Sequence, residues 1–325
     1  MPSITYADLR GILLPDTTPF DADGSIAYAR LRANLEAWNR TGIRGHVLLG
    51  STGERVHLDD REYPQVIETA RAVVPSALAF MVGAGQQSTT GTISEIKRAA
   101  QAGADAVLVI TPYFYRAAIS QDTLVSYYTA VADASPVPVL LYSMPVLTGI
   151  RIESETIARL SQHANIIGVK DSSNDVAGFS KTVSMCPPDF AVMTGNGTVL
   201  LDALRAGATG GILAVGCAVP EVCVEIFRAF NIGEEEHAAM LQSKLTPLAT
   251  AVTTKYGIGG LKVALDLAGY HGGAVRAPLR APEESARAEL ALLVGAALRG
   301  RASRDTGAAT EGRPYNDASS RPKVE

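Results

Sequence analysis

Eight short apolar runs, each followed by a longer amphipathic stretch, constrain this chain more than any other feature. They are GILLP (11–15), HVLLG (46–50), LAFMVGAG (78–85), AVLVITP (106–112), VPVLLYS (137–143), NIIGVKD (165–171), FAVMTGN (190–196) and GGILAVG (210–216). A strand, a crossover helix and two short loops need about the chain length that separates them. The runs are continuous rather than alternating, which is the pattern of parallel strands covered on both faces.

Helical patterning fills the gaps at 26–40, 59–74, 88–102, 120–134, 153–162, 174–185, 197–206 and 220–230. The first puts Ala27, Leu31, Leu35 and Trp38 on one face, and the second opens on Asp59 and Asp60 as capping candidates. Two helices end in nearly the same phrase, AAQAGADAV (99–107) and ALRAGATGGI (203–212). Gly103 and Gly207 there suit the left-handed residue that ends a helix, and the echo points to repeated βα units. Eight strands with eight crossovers predict an α/β fold, a (β/α)8 TIM barrel over residues 1–232. A doubly wound open sheet is the competing arrangement. Helical runs at 234–254, 257–269 and 283–299 predict additional C-terminal helices packed on the barrel over 233–299. The polar, small-residue stretch 300–325 reads as a disordered tail.

Hydrophobic residues make up 47% of the chain, enough for a large core, while 19% charged residues and a net charge of -4 argue against a nucleic-acid partner. No uncharged apolar stretch is long enough to span a membrane. The three cysteines, Cys186, Cys217 and Cys223, show no framework, and Cys217 and Cys223 read as small core residues. This usage fits a reducing, cytoplasmic setting. His46, His57, His163, His237 and His271 show no paired ligand spacing, so no catalytic metal is expected. Neither the segment around Gly50 nor that around Gly83 fits a phosphate loop or a dinucleotide fingerprint, so no cofactor is expected.

In such a barrel, chemistry sits at the C-terminal ends of the strands. Lys170 closes the sixth run, where an inward-facing lysine loses hydration, which disfavours the ammonium form and favours a nucleophilic amine. The competing reading is a lysine that reaches solvent or pairs with Asp171. Tyr142 ends the neighbouring strand, where a phenol beside the amine could donate and accept protons. It could equally be a half-buried core tyrosine. Ser51-Thr52-Gly53 offers hydroxyls and loop amides to a small carboxylate, or is simply a turn.

Taken together, several segments resemble the dihydrodipicolinate synthase / N-acetylneuraminate lyase family of class I pyruvate-type aldolases, over about residues 11–296. They are Thr17-Thr18-Pro19-Phe20, Gly50-Ser51-Thr52-Gly53-Glu54, Ala102-Gly103-Ala104-Asp105, Thr111-Pro112-Tyr113, Tyr142-Ser143-Met144-Pro145 with Thr148-Gly149, and Gly168-Val169-Lys170-Asp171. Within the family the likeness is to 4-hydroxy-2-oxoglutarate aldolase, carried also by Leu160-Ser161-Gln162-His163, Lys255 to Lys262, Gly269 to Gly273 and Arg276 to Leu279. The resemblance implies Lys170 as the Schiff-base residue and Tyr142 as proton donor and acceptor. It implies Ser51 and Thr52 as carboxylate binders, with Ser172, Gly195 and Ile212 lining the substrate, and Phe114, Tyr115 and Thr17 as further candidates. It also implies a homo-oligomer, a dimer of dimers, whose partner is a small 2-oxo acid substrate.

Two departures stand out. Synthases of the lysine pathway carry an arginine just before the Thr-Gly pair, where this chain has Leu147, which cannot make a bidentate carboxylate contact. Many relatives have a tyrosine at Phe114, and phenylalanine cannot relay a proton. The expectation is therefore a lyase cleaving a hydroxylated 2-oxo acid such as 4-hydroxy-2-oxoglutarate to pyruvate and glyoxylate. The alternatives are a 2-keto-3-deoxy sugar acid aldolase or dehydratase, a dihydrodipicolinate synthase-type condensation that Leu147 disfavours, and a non-catalytic family member.

Overall fold

The structure, a computed structural model, describes residues 4–299. The segment read as a disordered tail lies outside the described residues. Eight parallel strands, β1 (Gly11–Leu14), β2 (Gly45–Leu48), β3 (Ala79–Ala84), β4 (Ala106–Ile110), β5 (Val139–Ser143), β6 (Ile166–Asp171), β7 (Ala191–Thr194) and β8 (Gly210–Ile212), pair in sequence order and close when β8 meets β1. The closed ring bears out the TIM barrel and excludes the open, doubly wound sheet. Each strand is shorter than the apolar run that announces it, because the last residues of most runs leave the sheet for the loops.

A short α1 (Tyr6–Leu9) precedes β1. Helices α2 (Tyr28–Trp38), α3 (Glu62–Arg71), α4 (Thr89–Gln101), α5 (Gln121–Ala134), α6 (Pro145–Thr148), α7 (Ser154–Leu160), α8 (Val176–Met185), α9 (Leu200–Arg205) and α10 (Pro220–Asn231) follow in turn. Then come α11 (Glu235–Thr250), a π-helical turn (Ala251–Lys255), α12 (Gly257–Leu267) and α13 (Glu284–Arg299). Asp59 caps the start of α3: its carboxylate accepts the amides of Arg61 and Glu62, both at 2.8 Å. Asp60 instead pairs with Arg98 on α4. Gly103 and Gly207 take φ of +106° and +92° after α4 and α9, as their repeated phrase predicts. Neither four-residue helix, α1 nor α6, has a periodic signature in the sequence. Pro247 inside α11 removes one backbone donor, and the ladder widens into the π-turn one turn later.

The alternation of strand side chains divides the core in two. Leu13, Val47, Met81, Leu108, Leu140, Tyr142, Met193 and Ile212 fill the barrel, joined at its lower end by Ile4 and Leu9. Their neighbours, among them Leu14, Leu48, Val82, Val109, Leu141, Val169 and Val192, pack outward under the helices. Cys217 and Cys223 are fully buried in this outer layer, as small core residues. The C-terminal helices extend the same layer through Leu241, Leu245, Leu261, Leu265, Leu290 and Val294. No helix among the described residues is long and apolar enough to cross a membrane.

Candidate active site

The two-residue period of a strand decides which side of the barrel a functional group enters. On β6 Val169 faces outward, so Lys170 faces in; on β5 Leu141 faces outward and Tyr142 in. The two are register partners, which places a lysine and a tyrosine side by side at the upper end of the barrel. Lys170 is 4% exposed and Tyr142 3%. The Lys170 Nζ lies 4.5 Å from the centre of the Tyr142 ring and forms no ion pair with a carboxylate among the described residues. Asp171 faces the other way, and its carboxylate accepts the Ser173 amide at 2.7 Å. A solvent-exposed Lys170–Asp171 pair is thereby excluded.

The loop after β2 completes the arrangement. Ser51 Oγ and Tyr142 Oη form a hydrogen bond of 3.1 Å, and Thr52 is buried beside it. Leu49 and Glu54 flank this loop, both at φ of +54°, a left-handed backbone that costs a non-glycine residue about 1–2 kcal/mol. Such strain persists only where surrounding contacts over-determine it. Here Lys262, on α12, holds Glu54: its buried ammonium pairs with Glu54 Oε1 at 2.6 Å and donates to the carbonyls of Thr18 and Ala274 at 2.7 and 2.6 Å. Burial pushes the Lys262 ammonium below its usual range, and Glu54 opposes that shift. The other Glu54 oxygen accepts the Arg276 amide at 3.0 Å, and Thr18 Oγ1 donates to the Gly53 carbonyl at 2.8 Å. The helices beyond the barrel thus brace the strained loop that carries Ser51 and Thr52.

Gly195, the residue after β7, lies against both Lys170 and Ser172, the residue after β6. A Cβ added at Gly195 would fall 1.9 Å from Ser172 Oγ and 2.8 Å from Lys170 Cε, so only glycine leaves the lysine its path. Ile212 is fully buried in the same interior cluster as Tyr142. Thr17 is buried, and its hydroxyl, like that of Thr111 at the end of β4, has no partner among the described residues. Phe114 and Tyr115 are not brought to Lys170: they are 71% and 72% exposed, stacked edge to face on each other. Gln87 holds the start of that loop, its side-chain carbonyl accepting the Tyr113 and Phe114 amides. Sequence reading missed the Lys262–Glu54 brace, since the two residues are far apart in the chain and share no local pattern.

No group of three His, Cys, Asp or Glu among the described residues could hold a metal ion. A buried His46–Asp16 pair, 3.0 Å between Nδ1 and Oδ1, lies in the outer layer rather than in the barrel, with His46 Nε2 against Asn39 Oδ1. Burial raises the Asp16 carboxyl against the opposing pull of His46. A groove of about 610 Å³ lined by Lys97, Asp105 and Pro136 opens at the strands' N-terminal ends, opposite Lys170.

Known proteins share this architecture along nearly its whole length. The 4-hydroxy-tetrahydrodipicolinate synthase of Methanothrix thermoacetophila is 34% identical over 86% of this chain and 94% of its own. The crystal structure of dihydrodipicolinate synthase DapA-2 from Bacillus anthracis superposes with a TM-score of 0.85 at 28% identity, covering 88% of this chain and 98% of that one. A prophage protein of the dihydrodipicolinic acid synthase family from E. coli K12, solved in complex with pyruvate, gives a TM-score of 0.82 at 29% identity over 88% and 97%. The family profile itself matches residues 8–297. With a closed (β/α)8 barrel and a match across almost all of its length, the chain belongs to the dihydrodipicolinate synthetase family, whose members are enzymes of the lyase/aldolase type.

Proposed function

We propose that this enzyme is a Schiff-base-forming aldolase that cleaves a hydroxylated 2-oxo diacid, such as 4-hydroxy-2-oxoglutarate, into pyruvate and glyoxylate. The observation that carries the reading is the inward Lys170 amine, free of any carboxylate and packed on the Tyr142 phenol. In this reading the amine attacks the C2 carbonyl, and Tyr142 supplies the proton with which the carbinolamine oxygen departs as water. Tyr142 then accepts the proton of the C4 hydroxyl. The C3–C4 bond breaks, its electrons flow into the iminium to form an enamine, and the aldehyde leaves. Protonation at C3 and hydrolysis release pyruvate and restore the amine. Ser51 orients the phenol through its hydrogen bond, while Thr52 and the loop amides receive the C1 carboxylate. Ser172, Gly195, Ile212 and Thr17 line the substrate.

A condensing reading is favoured by one observation: similar relatives carry the name 4-hydroxy-tetrahydrodipicolinate synthase. It uses the same pyruvate enamine in the forward direction. Leu147, 60% exposed on α6 just after β5, offers no charge to an acceptor there and supports cleavage of a short diacid instead. The exposed apolar rim of Phe114, Tyr115, Val146 and Leu147 supports a homo-oligomer in which another copy covers it. Steady-state assays with 4-hydroxy-2-oxoglutarate, a 2-keto-3-deoxy sugar acid, and pyruvate plus a semialdehyde separate the readings. The diacid should give the highest kcat/KM; turnover of the other two alone would overturn the assignment.

A further inference from the structure

A dicarboxylic substrate brings two negative charges into a barrel mouth whose Ser51-Thr52 loop answers only one. A guanidinium is the strongest side-chain partner for the second, and the strand-end loops offer few cations. Arg55, after β2, is taken by Glu95 at 2.5 Å. Arg151, after β5, is taken by Asp175 at 2.8 Å. Lys170 is the nucleophile of the reading above. Two exposed guanidiniums on these loops form no hydrogen bond or ion pair among the described residues: Arg61, at the start of α3, and Arg116, on the short 3-10 turn Arg116–Ala118 after β4, the strand that pairs with β5 at Tyr142.

Arg116 lies across the loop that leaves β5, directly over Gly149. A Cβ placed on Gly149 would come within 2.8 Å of Arg116 Nη1 and 2.9 Å of its Cδ. Gly149 has φ of +68° and ends α6, which starts three residues after Tyr142. A glycine there both closes the helix and clears a seat for the arginine stem. Leu147, on α6 itself, supplies no competing charge.

We infer that Arg116 determines specificity for a carboxylate on the aldehyde half of the substrate, receiving it from the β4 loop with its planar fork. This rests on the aldolase reading proposed above. A guanidinium binds a carboxylate through two parallel N–H donors, a geometry that neither Leu147 nor a lysine reproduces. The recognised chemistry is the carboxylate itself, carried by glyoxylate or by a longer semialdehyde.

The test measures pyruvate addition to three acceptors, namely glyoxylate, a longer carboxylate-bearing semialdehyde and the neutral glycolaldehyde, in the full-length enzyme and in Arg116→Gln. Borohydride trapping of the pyruvate adduct is followed in parallel. Arg116→Gln should raise KM for carboxylate-bearing acceptors about ten- to a hundred-fold, the range for losing a hydrogen bond to a charged group, while glycolaldehyde addition and the adduct yield stay unchanged. Arg116→Lys should recover part of the loss. The acceptor that suffers more identifies the carboxylate source. Equal losses on all three acceptors, or none on any, would overturn the role of Arg116 while leaving the adduct in place. Absence of the adduct from the unsubstituted enzyme would instead defeat the aldolase reading and this inference with it.

Discussion

The Tyr142 hydroxyl and Ser51 Oγ lie 3.1 Å apart, joining β5 to the loop after β2 inside the barrel mouth. If Tyr142 moves protons in both halves of the reaction, Tyr142→Phe should lower kcat by about 10²–10⁴-fold with little change in Tm. Ser51→Ala keeps the phenol but frees its orientation, so its loss in kcat should be smaller. Steady-state rates beside thermal melts check both. An unchanged kcat in Tyr142→Phe removes Tyr142 from proton transfer.

Gly195→Ala asks whether the lysine needs its path. The added methyl meets Ser172 Oγ and Lys170 Cε. The expected result is a folded enzyme whose rate of pyruvate adduct formation falls at least about ten-fold, since small misplacements of a reacting group are costly. The same substitution paired with Ser172→Ala should recover part of the rate. Full activity in the single variant would mean that the barrel mouth yields freely.

The Lys262–Glu54 pair makes a stability prediction. Both side chains are at most 2% exposed, so Lys262→Met takes the ammonium from a buried carboxylate that keeps only the Arg276 amide and His57 Nδ1, and should cost up to about 3–5 kcal/mol. Lys262→Met combined with Glu54→Gln should regain much of that, because the stranded charge is gone. Denaturant titration distinguishes the outcomes. If the double variant keeps its fold yet loses affinity for pyruvate, the pair also holds the strained Ser51-Thr52 loop in place.

Arg276 holds the Glu62 carboxyl below its ordinary value of 4.5. A carboxyl lowered by folding adds stability above its ordinary value, and that stability is lost as pH falls through the folded value. Glu62→Gln should therefore lower Tm at pH 7, and the difference from the unsubstituted protein should close on acidification below the folded value. A difference that persists in acid would assign the effect to packing of the Arg276 stem.

The barrel was legible because parallel strands covered on both faces must be apolar throughout, and eight such runs leave few alternatives. The inward aim of Lys170 and Tyr142 was legible for a related reason, since each closes its apolar run at a strand end. Tertiary relations were not. Nothing local in the sequence couples Lys262 to Glu54 or seats Arg116 over Gly149. The four residues of α6 are too few to show a period, although Pro145 and Gly149 mark its two ends in hindsight. Phe114 and Tyr115 carried site expectations from family likeness, and in the single chain they face outward.

Mass spectrometry of the enzyme after pyruvate and borohydride treatment tests the central claim most directly. The account predicts a covalent mass gain of one reduced pyruvate, mapped to the peptide containing Lys170 and absent from Lys170→Ala. An adduct on a different lysine, or equal labelling of Lys170→Ala, would contradict it.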